Sequence, residues 1–161
     1  FCFCIFINTN LLNAEQKIVY LNLDYIFKNS EPGKSILEQL DNKRKKNIEK
    51  FKLQENELRQ KEQKIINQKN ILSKEEFESK VVKLKEEMKI YNEERKKIFL
   101  QFEDNKKKEL NEFLGKITPL IENFVKKNSI NIVLNEKNLF IASKKFDITN
   151  QIIEIINKTI K

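Results

Sequence analysis

Three pairs of adjacent acids, Glu75-Glu76, Glu86-Glu87 and Glu93-Glu94, are the side chains whose type and spacing could act as general acid and base. That chemistry needs carboxyls whose affinity for protons is shifted by burial or a close charge. These pairs lie in a lysine-rich, strongly polar stretch, where solvation leaves them as ordinary carboxylates. There is no histidine for a proton relay, the only thiols are Cys2 and Cys4, and Gly33 and Gly115 are the only glycines available to a phosphate loop. The expectation is no catalysis, no cofactor and no metal.

Charge offers a different chemistry. Lys43-Arg44-Lys45-Lys46, Arg95-Lys96-Lys97 and Lys106-Lys107-Lys108 are dense basic clusters in a chain of formal net charge +8, and no charged residue precedes Glu15. The first two would form an electrostatic collar for acidic partners, whether nucleic acid, anionic lipid or acidic protein. The alternative is a solvated helix face interspersed with Glu49, Glu93 and Glu94. A second candidate set is apolar: Ile48, Leu53, Ile66, Ile71, Val82 and Phe99 fall off the heptad seams described next. Dispersed apolar points of this kind suit weak, adaptable gripping of unfolded chains; each could instead pack at the root or along a drifting seam.

The element that positions both sets is the run between the two glycines, 34–115. Its interior is rich in Lys, Glu, Gln and Leu and contains no proline, since Pro32 and Pro119 lie outside it, so it reads as long helix. Ser73-Lys74-Glu75-Glu76 has the form of a capping box, which splits the run into two helices joined near 70–73. Helices of that length, on the order of 55 Å each, outgrow a compact body and should project as an antiparallel hairpin. The second helix carries a heptad stripe of Phe77, Val81, Leu84, Met88, Tyr91, Arg95, Ile98 and Phe102. The first has Leu37, Arg44, Phe51, Leu58, Ile65 and Leu72 seven apart, with polar companions Asn47, Gln54, Lys61 and Gln68. Folding the hairpin about Leu72 sets Lys43 to Lys46 roughly opposite Phe99 to Phe102, and the first two basic clusters within about two helical turns of each other.

The remainder suggests a small body, 15–33 and 116–161. Lys17 to Leu23 is strand-like, with Asp24 capping a short helical turn through Phe27. Ser30 to Gly33 launches the first arm helix. The second continues past Gly115 with a kink near Pro119, and ends at Asn128-Ser129. Ile130 to Leu134 and Leu139 to Ala142 read as a β-hairpin around Asn135 to Asn138, and Asp147 caps a last helix with Ile148, Ile152, Ile155, Ile156 and Ile160 on one face. Three short strands with open edges are marginal alone, so strands carrying Ile18, Tyr20, Ile132, Leu134 and Phe140 are expected to join subunits. Residues 1–14 read as the apolar region and cleavage end of a secretory signal without its basic n-region, cut after Ala14. The fold class expected is α+β, mostly α: a β-rich oligomerisation body with a long coiled-coil-like arm.

This order of elements resembles the Skp/OmpH family of periplasmic chaperones. The likeness is carried by Lys17 to Leu23 running into Asp24-Tyr25-Ile26-Phe27, by Ser30 to Lys34 as S-x-P-G-K, by the charged hairpin, by Ile130 to Leu134, and by Asp147-Ile148-Thr149 before the last helix. It spans nearly all of 15–161. The resemblance implies a homotrimer whose arms enclose a cavity for unfolded outer-membrane proteins, held without ATP, in the periplasm. It also implies a basic surface toward lipopolysaccharide or an anionic membrane. Two alternatives stay open: a basic nucleic-acid-binding protein, disfavoured by the leader and the lack of a nucleic-acid-binding fold, and a prefoldin-like coiled-coil chaperone, in which strands sit between the helices.

Overall fold

A computed structural model describes residues 16–160. The signal expected over 1–14 lies outside the described residues. In chain order, strand β1 (Ile18–Leu21) leads into helix α1 (Leu23–Asn29), then α2 (Glu31–Asn67) and α3 (Lys74–Lys127). Strand β2 (Ile132–Asn135), two 3₁₀ turns (Glu136–Asn138 and Lys144–Phe146) and helix α4 (Thr149–Thr159) complete it. The α+β fold with a long helical arm is as expected.

The arm forms where sequence and local hydrogen bonding agree. α2 has 37 residues and α3 has 54, about 55 and 80 Å at 1.5 Å per residue. At the tip the chain turns over residues 68–73, and the Ile71 and Leu72 amides both donate to the Gln68 carbonyl at 3.0 Å. The capping box is formed: the Ser73 hydroxyl accepts from the Glu76 amide at 3.2 Å, and the Glu76 carboxylate accepts from the Ser73 amide at 3.1 Å. The Ser73 hydroxyl also donates to the Glu76 carboxylate at 2.9 Å, and this bond first, then that from the Ser73 amide, holds the Glu76 carboxyl below its ordinary range. Among the described residues no strand lies between α2 and α3.

Both glycines lie inside helices. Gly33 is in the first turn of α2, where a Cβ would sit 1.9 Å from the Phe27 carbonyl oxygen, so its lack of a side chain is what lets α2 start against the end of α1. A Cβ on Gly115 would have nothing within 4 Å. α3 runs on through Gly115 and Pro119 to Lys127, with Asn128 as its C-cap and Ser129 at φ 51°.

The body core gathers Val19 and Leu21 of β1, Ile26 of α1, Phe113 and Ile117 of α3, Ile130, and Ile148, Ile152 and Ile156 along α4. Phe27 meets Phe113 edge-on, 5.0 Å between ring centroids. The Asp147 carboxylate accepts from the Thr149 amide at 2.9 Å, but the N-cap of α4 is Ile148, without a side-chain cap, so Asp147 lies one residue before the cap it was expected to form.

Three further local expectations are corrected. α1 is capped by Asn22, whose side chain accepts from the Tyr25 amide at 2.8 Å, so Asp24 lies in its first turn and Leu23 belongs to the helix. The β-hairpin expected around 135–138 does not form: the Asn135 side chain accepts from the Lys137 amide at 3.2 Å and bends the chain into a 3₁₀ turn, and 139–142 is not a strand. β2 instead pairs in parallel with β1, in the register Ile18 to Ile132 and Tyr20 to Leu134. Phe140 therefore lies off any strand and is 99% exposed. The third concerns the seam. On α3 Glu87 and Glu94 are half-buried where Met88 and Arg95 of the expected stripe, each one position later, are exposed, and near the root of α2 Ile36 and Leu40 are half-buried while Leu37 and Arg44 are exposed. The reason lies across the arm, where Lys61 pairs with Glu87 and Lys50 with Glu94, both at 2.6 Å.

Candidate functional site

The polar companions of α2 leave the middle of the arm incompletely closed. Phe51 and Tyr91 meet edge to face across the arm, centroids 6.1 Å apart. On one side of that pair Gln54 and Lys50 both donate to the Glu94 carboxylate, at 3.1 and 2.6 Å. These bonds hold the Glu94 carboxyl below its ordinary range, the Lys50 bond contributing most and that from Gln54 next. On the other side Asn47 is too short and polar to fill the space opened by the rings, and a groove of about 400 Å³ remains.

Its floor is half-buried and apolar: Phe51, Tyr91, Ile98 and Phe102. Ile48 of α2 and Phe99 of α3 stand exposed on its two banks, and Arg44, Lys52, Glu55 and Arg95 complete the lining. The two sequence-predicted sets thus meet here, Ile48 and Phe99 from the apolar one, Arg44 and Arg95 from the basic one. Floor residues assigned to the seam complete the groove, and the signal for them is the polar Asn47 and Gln54 beside large aromatics.

The other predicted residues are spread along the arm. Leu53, Ile66, Ile71 and Val82 are all exposed, Ile71 at the tip most of all at 82%. Ile90 and Leu100, also exposed, belong with them although the heptad reading did not single them out. Lys43, Lys46, Lys96 and Lys97 are exposed outside the groove. Arg44 and Lys45 share Asp41 at 2.9 and 2.7 Å, and those bonds, that from Lys45 first, keep the Asp41 carboxyl below its ordinary range. The collar is thereby partly neutralised on α2.

The body offers a second surface. One face of the two-stranded sheet packs Val19 and Leu21 on the core, while on the other Ile18, Ile132 and Leu134 remain exposed around a buried Tyr20. Burial raises the affinity of the Tyr20 hydroxyl for its proton, helped by the nearby carboxylates of Asp147 and Glu136. The segment after β2 brings Leu139 and Ile141 beside this face, with Phe140 between them in the chain, and Phe140 and Ile141 are almost wholly exposed. Among the described residues no group of three His, Cys, Asp or Glu is placed to hold a metal ion, and no helix is long and apolar enough to cross a membrane.

The model of the family described as outer membrane protein (OmpH-like) matches residues 17–156. Among solved structures, a Caulobacter crescentus protein described as an outer membrane chaperone (OmpH-like) superimposes with a TM-score of 0.84 at 14% sequence identity, covering 92% of this chain and 88% of that one. At that identity the likeness speaks for the fold. No curated protein matches the chain.

Proposed function

The chain belongs to the OmpH-like outer membrane protein family, and from that premise we propose that it is an ATP-independent periplasmic holdase, keeping unfolded outer-membrane proteins from aggregating. The observation that carries this reading is the arm: a long hairpin whose apolar side chains off the seam are exposed and dispersed between cations. Unfolded chains present short apolar stretches in many orders, and scattered contacts on a compliant arm match them better than a shaped pocket would. The positive field adds capture of acidic segments and slows their escape. Lipopolysaccharide or an anionic membrane surface would answer to the same field.

A cavity needs more than one arm. The apolar sheet face around Ile18, Ile132 and Leu134, with Leu139 and Ile141 beside it, supports self-association through the body, and a homotrimer is the assembly we propose. Holding a client requires neither cofactor nor catalysis. The test is to dilute an unfolded outer-membrane protein into buffer with and without the purified chain and to follow light scattering. Scattering suppressed at a molar excess of trimer, with a solution mass three times that of the chain, is the expected result. Undiminished scattering refutes the holdase.

A further inference from the structure

A holdase that gripped apolar segments indiscriminately would have no use for paired arginines, yet the mid-arm groove sets Arg44 of α2 and Arg95 of α3 around an aromatic floor. Three cations line it against one carboxylate, Glu55. Arg44 is engaged by Asp41. Among the described residues no carboxylate lies within ion-pair distance of Arg95, whose guanidinium is left to pair with an incoming acid. We propose that this groove is a recognition site for acidic-aromatic segments of unfolded chains, an aromatic ring lying on Phe51 and Tyr91 and a neighbouring Asp or Glu pairing with Arg95. The proposal rests on the holdase reading and adds to it a preference among client segments.

The size and chemistry fit that occupant. A hollow of about 400 Å³ is at the small end of ligand sites, which run from roughly 300 to 1,000 Å³, so it admits one or two side chains and not a folded element. Aromatic rings on the floor favour a ring in edge-to-face or offset contact. Arginine, planar and weakly hydrated, pairs with a carboxylate in two-point fashion and stacks on rings, which lysine does not do as well. A segment with lysine beside its aromatic would bring like charge against Arg44, Lys52 and Arg95. A segment without an aromatic would leave the floor wet.

The test uses the full-length chain and fluorescence anisotropy of three labelled peptides: one with alternating Phe and Asp, one with Asp replaced by Lys, one with Phe replaced by Ser. The acidic-aromatic peptide is expected to bind about tenfold more tightly than either control, a difference of about 1.4 kcal/mol. Arg95→Glu should reverse the order of the acidic and lysine peptides, and Phe99→Ser should weaken both aromatic ones. Both residues are exposed, so the variants keep the fold, which circular dichroism checks. Equal binding of the three peptides, or no change on Arg95→Glu, overturns the proposal. So does loss of binding to phosphatidylglycerol vesicles on Arg95→Glu with peptide binding unchanged, since the groove would then serve a lipid surface. Light scattering keeps the two ideas apart: suppression without peptide preference removes the groove and leaves the holdase, while no suppression by the unaltered chain removes the holdase and leaves the peptide titrations to decide the groove.

Discussion

The body and the arm are built from one continuous pair of helices and yet are held by different physics. At the root, α3 buries Phe113 and Ile117 among residues of β1, α1 and α4, and Ile26, Ile117, Ile152 and Ile156 lose all contact with water. Along the projecting part of the hairpin the buried side chain is Leu84, and the ties across the arm are largely polar: Lys50 and Gln54 to Glu94, Lys61 to Glu87, Lys80 to Gln68. Close-packed apolar cores fix one arrangement, because any displaced side chain leaves a void. Exposed ion pairs contribute on the order of 0–1 kcal/mol each and tolerate displacement. The arm can therefore bend and re-pair while its root holds still, and it leaves apolar residues exposed that the root would bury.

The largest test of that contrast is Phe113→Ala. Phe113 is 2% exposed, and removing its ring should cost about 3–5 kcal/mol, read as a fall in the urea midpoint at fixed chain concentration. Leu84→Ala should instead speed amide hydrogen exchange in the neighbouring turns of α2 and α3 and leave the body's slowest amides unchanged. If Leu84→Ala lowers the global midpoint as far as Phe113→Ala, arm and body form one cooperative unit and the comparison fails.

That contrast also governs what the sequence displayed. Most features set by neighbours in the chain are legible, among them the capping box at Ser73 and Glu76, the end at Asn128 and Ser129 and the α4 face of Ile148, Ile152 and Ile156, although Asn22 caps α1 in place of Asp24. Features set by partners far along the chain are not. Leu139, Phe140 and Ile141 have strand-forming side chains, yet they join no strand, and β2 takes its partner from the distant β1, in parallel. The heptad pattern offered Met88 and Arg95 for the seam, and the lysines on the opposite helix selected Glu87 and Glu94 instead. The members of the groove were all readable as residue types. Their meeting depends on the register between two helices, which single-helix periodicity does not contain.

The two glycines give the middle-sized test, because they flank the same run and differ only in surroundings. Gly33→Ala places a methyl 1.9 Å from the Phe27 carbonyl oxygen, and since backbone must move the cost should be about 1–3 kcal/mol or more. Gly115→Ala meets no atom within 4 Å and should gain up to about 1 kcal/mol from helix propensity. Thermal unfolding of the two variants at one concentration should thus move in opposite directions. A loss at Gly115 would mean that this surface of α3 is covered in the assembly.

The smallest effect should be seen at Glu94 on acidification. Its carboxyl is held below the ordinary range by the hydrogen bond from Lys50 and then that from Gln54, so the separated helices bind this proton more readily than the closed arm does. The stabilisation is accordingly complete above the unpaired value of about 4.3 and is lost as pH falls through the lower, paired one. Between pH 7 and 5 the middle of the arm should not change; below that window it should loosen, while the body's apolar core has no such dependence. Carboxyl carbon resonances, with Glu94 assigned through Glu94→Gln, read this directly. Their midpoint should lie below the ordinary glutamate value and return to it in Lys50→Ala, and high salt should shrink the difference because both partners are substantially exposed. A Glu94 midpoint already at the ordinary value in the unaltered chain would mean that the arm at this level is held by the Phe51–Tyr91 contact alone, and that its compliance does not come from the ion pairs.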